Sequence, residues 1–166
     1  QDSESDYILQ AKQALFRLDS ANAAQLLERE IKQYPENGYA YYYQNCQDFI
    51  YNLVDGSDYN RYREETAERV NALKSLDDNN PEYLYFLSAV YLQSSLLDFL
   101  NKETWQGSKN FYLAHRYIKE NNAIYPGYPD NQKILGIMEL ILSLIPSDKD
   151  WLFNVLGMKG DREAGT

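Results

Sequence analysis

The residues that could do chemistry are few, and their spacing does not assemble a catalytic or metal site. His115 is the only histidine and Cys46 the only cysteine. A nucleophilic thiol needs a base or a cation beside it, and a metal site needs several clustered ligands. Neither pattern surrounds these two residues. We therefore expect His115 on a helix surface or between helical hairpins, and Cys46 as a small buried residue.

Carboxylates are numerous but occur as short runs in polar segments, such as Glu64, Glu65 and Glu68. Two carboxylates act as general acid and base only when they face one cleft in contrasting environments. Solvated helix faces and helix caps explain these runs instead. Residues 77–80 resemble a calcium loop, but they lack the glycine and the final glutamate of that loop. The sequence predicts no enzyme, no metal and no cofactor.

Tyrosine is the compositional anomaly, with 16 tyrosines against 6 phenylalanines and 2 tryptophans. Three consecutive tyrosines, residues 41–43, point about 100° apart on a helix, so one interface cannot bury them all. A tyrosine ring offers contact area and a hydroxyl at low entropic cost, which suits peptide recognition or stacking on sugars. The alternative is that packing between hairpins absorbs most of these rings.

The elements that must position these residues read as helices nearly throughout, because apolar residues recur at helical spacing between clear turn signals. No segment has the length and turn spacing of a strand. Ser20 is the expected N-cap of the second helix. The predicted helices cover residues 7–18, 21–33, 39–54, 60–76, 82–100, 103–123, 130–145 and 149–156.

Two stretches of the chain match each other in residue type and spacing. Ala23, Leu27 and Pro35 have the spacing of Ala114, Ile118 and Pro126, and each proline follows a tyrosine. A small residue, a large apolar residue one turn later and a proline after the helix end are typical of the second helix of a hairpin repeat. A repeat architecture favours a binding scaffold over a catalytic pocket.

With these prolines as markers, the chain resembles the tetratricopeptide repeat family. Leu135 and Gly136 stand at the family's Leu-Gly pair, Tyr7 at its aromatic position and Ala11 at its small position. The family pattern implies that adjacent helices approach closely at Gly136 and Ala11. It also implies an all-α, right-handed α-solenoid of about four helical hairpins in a single domain, residues 1–166. The repeats would cover about 4–37, 38–83, 84–128 and 129–162, with insertions near 55–59 and 101–106.

The same resemblance implies a concave groove lined by the first helix of each repeat, here tyrosine-rich and mostly apolar. Its candidate residues are Tyr39, Tyr42, Tyr85, Leu92, Lys133 and Ile137. The family's basic clamp for C-terminal carboxylates would need a cation and an asparagine where this chain has Ile8 and Lys12, which argues against that ligand. Residues 151–165 resemble a repeat-closing segment, so we expect the N-terminal part of a longer array.

Net charge and composition limit the classes of partner and the cellular location that we expect. The formal net charge is −9, so the surface repels phosphate backbones and a nucleic-acid partner is not expected. No apolar run approaches the roughly 20 residues that span a bilayer. The polar, acidic start at Gln1 favours an exported, periplasmic or envelope-associated protein, with the cytoplasm as the alternative. We expect a non-enzymatic scaffold for a protein or peptide; the alternative is a glycan or other small-molecule binder that uses aromatic stacking.

Overall fold

The computed structural model describes residues 5–56, 58–76 and 80–144. These residues form seven α-helices and no strand, so the all-α expectation is confirmed. The expected helix at 149–156 and the segment 151–165 lie outside the described residues, as does most of the segment 77–80. The helices are α1 Asp6–Phe16, α2 Ser20–Gln33, α3 Gly38–Val54, α4 Tyr59–Lys74, α5 Pro81–Leu100, α6 Thr104–Ile124 and α7 Pro129–Leu144.

Side-chain caps fix where the helices begin. The Asn80 side chain accepts hydrogen bonds from the backbone N–H groups of Glu82 and Tyr83, both at 3.0 Å, and Pro81 occupies the first turn of α5. Proline there loses nothing, because the first N–H groups of a helix have no partner within it. Since α5 begins at Pro81, the expected repeat boundary at 83/84 falls within its first turn.

The start of α2 differs by one residue from the expectation. Ser20 is the first helical residue, and the cap is Asp19, whose carboxylate accepts a hydrogen bond from the N–H of Asn22 at 3.3 Å. Leu18 precedes the cap with a φ of 59°, which the tight turn after α1 imposes on a non-glycine residue. Aspartate is as good a cap as serine, so residue preference could not separate the two.

Within the described residues, the helices pack mainly against their neighbours and next-but-one neighbours along the chain. Each consecutive pair of helices is in contact, and so are α1 with α3, α3 with α5, and α5 with α7. Within the described residues, successive even-numbered helices share no comparable contact. Helices α3 and α5 run parallel, because Tyr39 contacts Glu82 while Cys46, further along α3, contacts Gln93. Contact limited to near neighbours is typical of stacked repeats.

The sequence match reappears as a repeated structure. Ala23, Leu27, Ala114 and Ile118 are each 0% exposed. The turns that follow α2 and α6 use the same backbone hydrogen bonds at positions 91 residues apart. Residue 34 donates to the carbonyl of residue 30 at 2.7 Å, and residue 125 donates to that of residue 121 at 2.7 Å. Residues 37 and 128 then donate to the carbonyls of 34 and 125, at 3.0 and 3.1 Å.

A buried polar side chain ties each of these two turns to the helices around it. The Glu30 carboxylate accepts hydrogen bonds from Ser5 Oγ at 2.7 Å and from Asn37 Nδ2 at 2.6 Å, which cap α1 and α3. In α6, Asn121 stands at the position equivalent to Glu30 and is likewise 0% exposed. Its Nδ2 donates to the Pro81 carbonyl and to Asn131 Oδ1, both at 2.7 Å, at the starts of α5 and α7.

Helices α5 and α6 approach each other closely where small residues face each other. Ser95 Oγ donates to the Gly107 carbonyl and Ser88 Oγ to the Ala114 carbonyl, both at 2.8 Å. A Cβ added at Gly107 would lie 2.8 Å from the ring of Phe99. Glycine is therefore required at position 107 for this separation.

Ala11 is fully buried as expected, whereas no described helix approaches Gly136, and the helix expected at 149–156 lies outside the described residues. Gly136 is exposed, and among the described residues an added Cβ would have no neighbour within 4 Å. Ala11 is 0% exposed and packs with Ile8 and Leu27 in the cluster between the first three helices. Among the described residues, the glycine that meets a neighbouring helix is Gly107, and the close approach expected at Gly136 stays a prediction.

Candidate functional site

Four tyrosine rings form a continuous row, called here the tyrosine ladder, across the odd-numbered helices. Tyr43 and Tyr42 lie on α3, Tyr85 lies on α5, and Tyr128 directly precedes α7. The ring centroids are 5.1 Å apart from Tyr43 to Tyr42, 5.9 Å from Tyr42 to Tyr85 and 6.0 Å from Tyr85 to Tyr128. The latter two contacts are edge-to-face, the favoured arrangement for aromatic pairs. The ladder of ring contacts therefore runs from α3 across α5 to the residue that precedes α7.

A buried phenylalanine supports the ladder from behind. Phe86 is 3% exposed, and its ring stacks on Tyr42 at 5.0 Å and meets Tyr39 edge-on at 4.8 Å. Gly38 lets α3 approach this ring, since an added Cβ would lie 3.1 Å from it. The Tyr39 hydroxyl donates a short hydrogen bond to the Glu82 carboxylate. These contacts hold the rings of α3 in fixed orientations.

The hydroxyls of Tyr42, Tyr85 and Tyr128 stay protonated over the physiological range. Burial raises the pKa of Tyr42 and of Tyr85 above the ordinary value. Burial also raises the pKa of Tyr128, and the nearby Asp130 carboxylate adds to that effect. Each of these three hydroxyls can therefore both donate and accept a hydrogen bond at neutral pH.

A lysine lies near each end of the ladder. The Lys12 ammonium of α1 is 5.7 Å from the centroid of the Tyr43 ring, a distance at which a cation is attracted to the ring face. At the other end, exposed Lys133 forms an ion pair with Asp130. The face thus has an aromatic middle and charged ends.

The expected groove residues fall into two groups. Tyr39, Tyr42 and Tyr85 are partly buried, so none is fully enclosed between hairpins, and Ile137 is 44% exposed on α7 near Lys133. Leu92 is the correction: it is 4% exposed and belongs to the core cluster of α5, α6 and α7, so it does not line a surface. Leu92 was assigned to the groove by counting from a repeat boundary, whereas its burial depends on how α5 is rotated about its own axis.

Sequence reasoning did not select Tyr43 and Tyr128 for the site. Tyr43 was known only as one of three consecutive tyrosines, and Tyr128 only as part of a proline-glycine turn. The signal that could have found Tyr128 is its place immediately before the first helix of a repeat. A residue there lies beside the first turn of the previous odd-numbered helix, where Tyr85 stands.

The remaining reactive side chains are held in structural roles. Cys46 Sγ accepts a hydrogen bond from Gln93 Nε2 at 3.3 Å, and burial raises the pKa of the thiol. A protonated thiol is a poor nucleophile. His115 is partly buried on α6, far along the chain from Cys46. In the described part of the chain, no three side chains of His, Cys, Asp or Glu are grouped to hold a metal ion.

No described helix combines the length and the apolar character that crossing a membrane requires.

Comparison with known proteins gives no relative from which to infer a function: no family model, curated protein or solved structure matches the chain. The residues of the site therefore carry the functional argument.

Proposed function

We propose that this chain is a tetratricopeptide-like α-solenoid that acts as a non-enzymatic scaffold and binds a peptide or protein segment on the tyrosine ladder. The solenoid is supported by the parallel course of α3 and α5, by contacts limited to near neighbours, and by the two equivalent turns after α2 and α6. In such an array the odd-numbered helices form the inner face. The tyrosine ladder lies on those helices.

The observation that carries the proposal is that the ladder rings are ordered by packing yet not enclosed. Tyr42 and Tyr85 contact each other and the buried ring of Phe86, while each retains some exposed surface. Rings that are already fixed lose little entropy when a partner binds, so their contact area contributes more to affinity. Tyrosine is enriched among residues that dominate binding energy for this reason.

The proposal is tested by selecting peptides from a random displayed library against the wild-type chain. The selected peptides are then measured against Tyr43→Ala and Tyr128→Ala, which change the two ends of the ladder. Tyr112→Ala is the matched control, because Tyr112 is 41% exposed on α6 and has no ring contact with the ladder. We expect affinity to fall about tenfold in the ladder variants, or about 1.4 kcal/mol, and to stay within about twofold in the control.

The outcome that contradicts the proposal is a set of peptides that bind all three variants equally, or a library that yields no binder. Circular dichroism melts of the variants separate lost binding from lost folding. Binding of the same three variants to a glycan array tests the alternative ligand, since sugars also stack on tyrosine rings. Export to the cell envelope stays a prediction, which fractionation of cells that carry the tagged full-length protein checks.

A further inference from the structure

Two clefts lie on the opposite side of the helices from the tyrosine ladder, each between successive even-numbered helices. One cleft, of about 480 Å³, lies between α2 and α4 and has α3 as its floor. The other, of about 320 Å³, lies between α4 and α6 and has α5 as its floor. Both are produced in the same way, because the even-numbered helices pack on the odd-numbered ones and not on each other.

The two clefts carry opposite charge although their construction is the same. The α2–α4 cleft is lined by four carboxylates and two guanidinium groups: Glu28, Asp48, Glu65, Glu68, Arg61 and Arg69. The described residues that line the α4–α6 cleft include three cations and one carboxylate: Arg63, Lys74, Lys109 and Asp98. A surplus of positive charge is unexpected in a chain of net charge −9, and the fold itself does not require it.

Asp98 is the one carboxylate that the described residues contribute to the α4–α6 cleft, and its oxygens are engaged in hydrogen bonds. Asp98 is 1% exposed, and its two oxygens accept hydrogen bonds from the Tyr59 hydroxyl at 2.6 Å and from Asn110 Nδ2 at 2.7 Å. Buried acceptors that are already satisfied do not require a cation from the cleft. Among the described lining residues, the exposed charges are therefore the cations.

The cations are spread along the length of the cleft. Arg63 and Lys74 are eleven residues apart on α4, which is close to three full turns, so they lie on one stripe about 16 Å apart. Lys109 lies on the facing helix α6. At the Lys74 end, the ammonium donates to the Tyr91 hydroxyl at 3.1 Å, and Tyr91 stacks at 5.7 Å on Tyr117. An extended chain of about five residues covers this length.

From this charge and shape we propose that the α4–α6 cleft binds an extended acidic peptide segment, independently of the tyrosine ladder. Carboxylates spaced along an extended chain reach cations at both ends of the cleft, whereas a small anion reaches only one. The polar floor, with Tyr91 and Ser94, suits a peptide backbone that needs hydrogen-bond partners. The scaffold would then hold two segments on two faces.

The probe is a fluorescein-labelled hexaglutamate peptide, with hexaglutamine as its uncharged counterpart, and the readout is fluorescence anisotropy at low and physiological salt. The charge-removing variant is the double substitution Arg63→Gln and Lys109→Gln. The control is the double substitution Arg29→Gln and Lys32→Gln, which removes the same charge from exposed positions on α2. The overall negative charge opposes hexaglutamate, so any binding reports a local site.

We expect hexaglutamate to bind the wild type, and the cleft variant to bind about tenfold more weakly, while the control changes by about twofold at most. Added salt should weaken binding, and hexaglutamine should not bind. Tyr43→Ala should leave hexaglutamate binding unchanged, which separates this proposal from that for the ladder. Three results overturn it: no hexaglutamate binding, equal loss in the cleft and control variants, or competition by millimolar phosphate that removes all binding.

Discussion

Replacing Gly107 by alanine should destabilise the chain although alanine is the better helix former. Within a helix, alanine is favoured over glycine by about 1 kcal/mol, and somewhat less in the first turn, where Gly107 lies. Against this, the new Cβ would lie 2.8 Å from Cδ1 and 3.0 Å from Cγ of Phe99. Cγ lies close to the backbone of α5, so rotation of the ring does not relieve the contact and the helices must separate.

The magnitude follows from the sum of these effects. Overpacking of this kind costs about 1–3 kcal/mol. Separation of the helices also lengthens the 2.8 Å hydrogen bond from Ser95 Oγ to the Gly107 carbonyl, which contributes about 1 kcal/mol. After the helix-propensity gain is subtracted, we expect Gly107→Ala to lower the free energy of unfolding by about 1–3 kcal/mol. For a chain of this length, the melting temperature should fall by several degrees, at about 2–4 °C per kcal/mol.

Gly136→Ala is the matched control, because it adds the same methyl group to a helix position where no atom of the described residues lies within 4 Å. It should raise the free energy of unfolding by about 0.5–1 kcal/mol. Urea unfolding followed by circular dichroism at 222 nm measures both variants. The reasoning is refuted if Gly107→Ala is as stable as Gly136→Ala. In a double-mutant cycle, Gly107→Ala should cost little stability in the Phe99→Ala background, because the ring that obstructs the added Cβ is then absent.

Three further predictions concern buried polar groups. Burial raises the pKa of Tyr42 above 10.0, so the contribution of its protonated hydroxyl to stability is complete below about pH 10 and is lost as the pH rises. Tyr42→Phe should therefore reduce the fall in the free energy of unfolding between pH 10 and about 11.5. An unchanged slope contradicts this. Glu30→Ala should lower the free energy of unfolding by about 1–3 kcal/mol, because it leaves the capping residues of two helices without their acceptor. Glu28→Ala, at an exposed position, should change it by less than about 0.5 kcal/mol. Equal effects in urea unfolding would show that the caps do not depend on Glu30. Cys46 should react slowly with a disulfide reagent at pH 8 and quickly in denaturant, and fast native reaction would show that the thiol is not protected.

The match between the two stretches shows which features of this fold the local sequence could predict. Tyr34-Pro35 and Tyr125-Pro126 were recognised as equivalent from spacing alone, and the turns that contain them share their backbone hydrogen bonds. Such turns are encoded within a few residues, because proline cannot continue a helix and the residues before it favour an extended conformation. The polar ties made by Glu30 were missed, since its partners Ser5 and Asn37 lie on other elements.

By itself, the sequence determined the helical class, the course of the first seven helices to within a few residues, and the equivalence of two turns. These depend on residues close in the chain. Only the tertiary structure decided that Leu92 is buried, that Gly107 meets a neighbouring helix, and that the tyrosines form a ladder reaching Tyr128. The physical reason is that the rotation of each helix about its axis, and its distance from the next, are set by packing between distant segments.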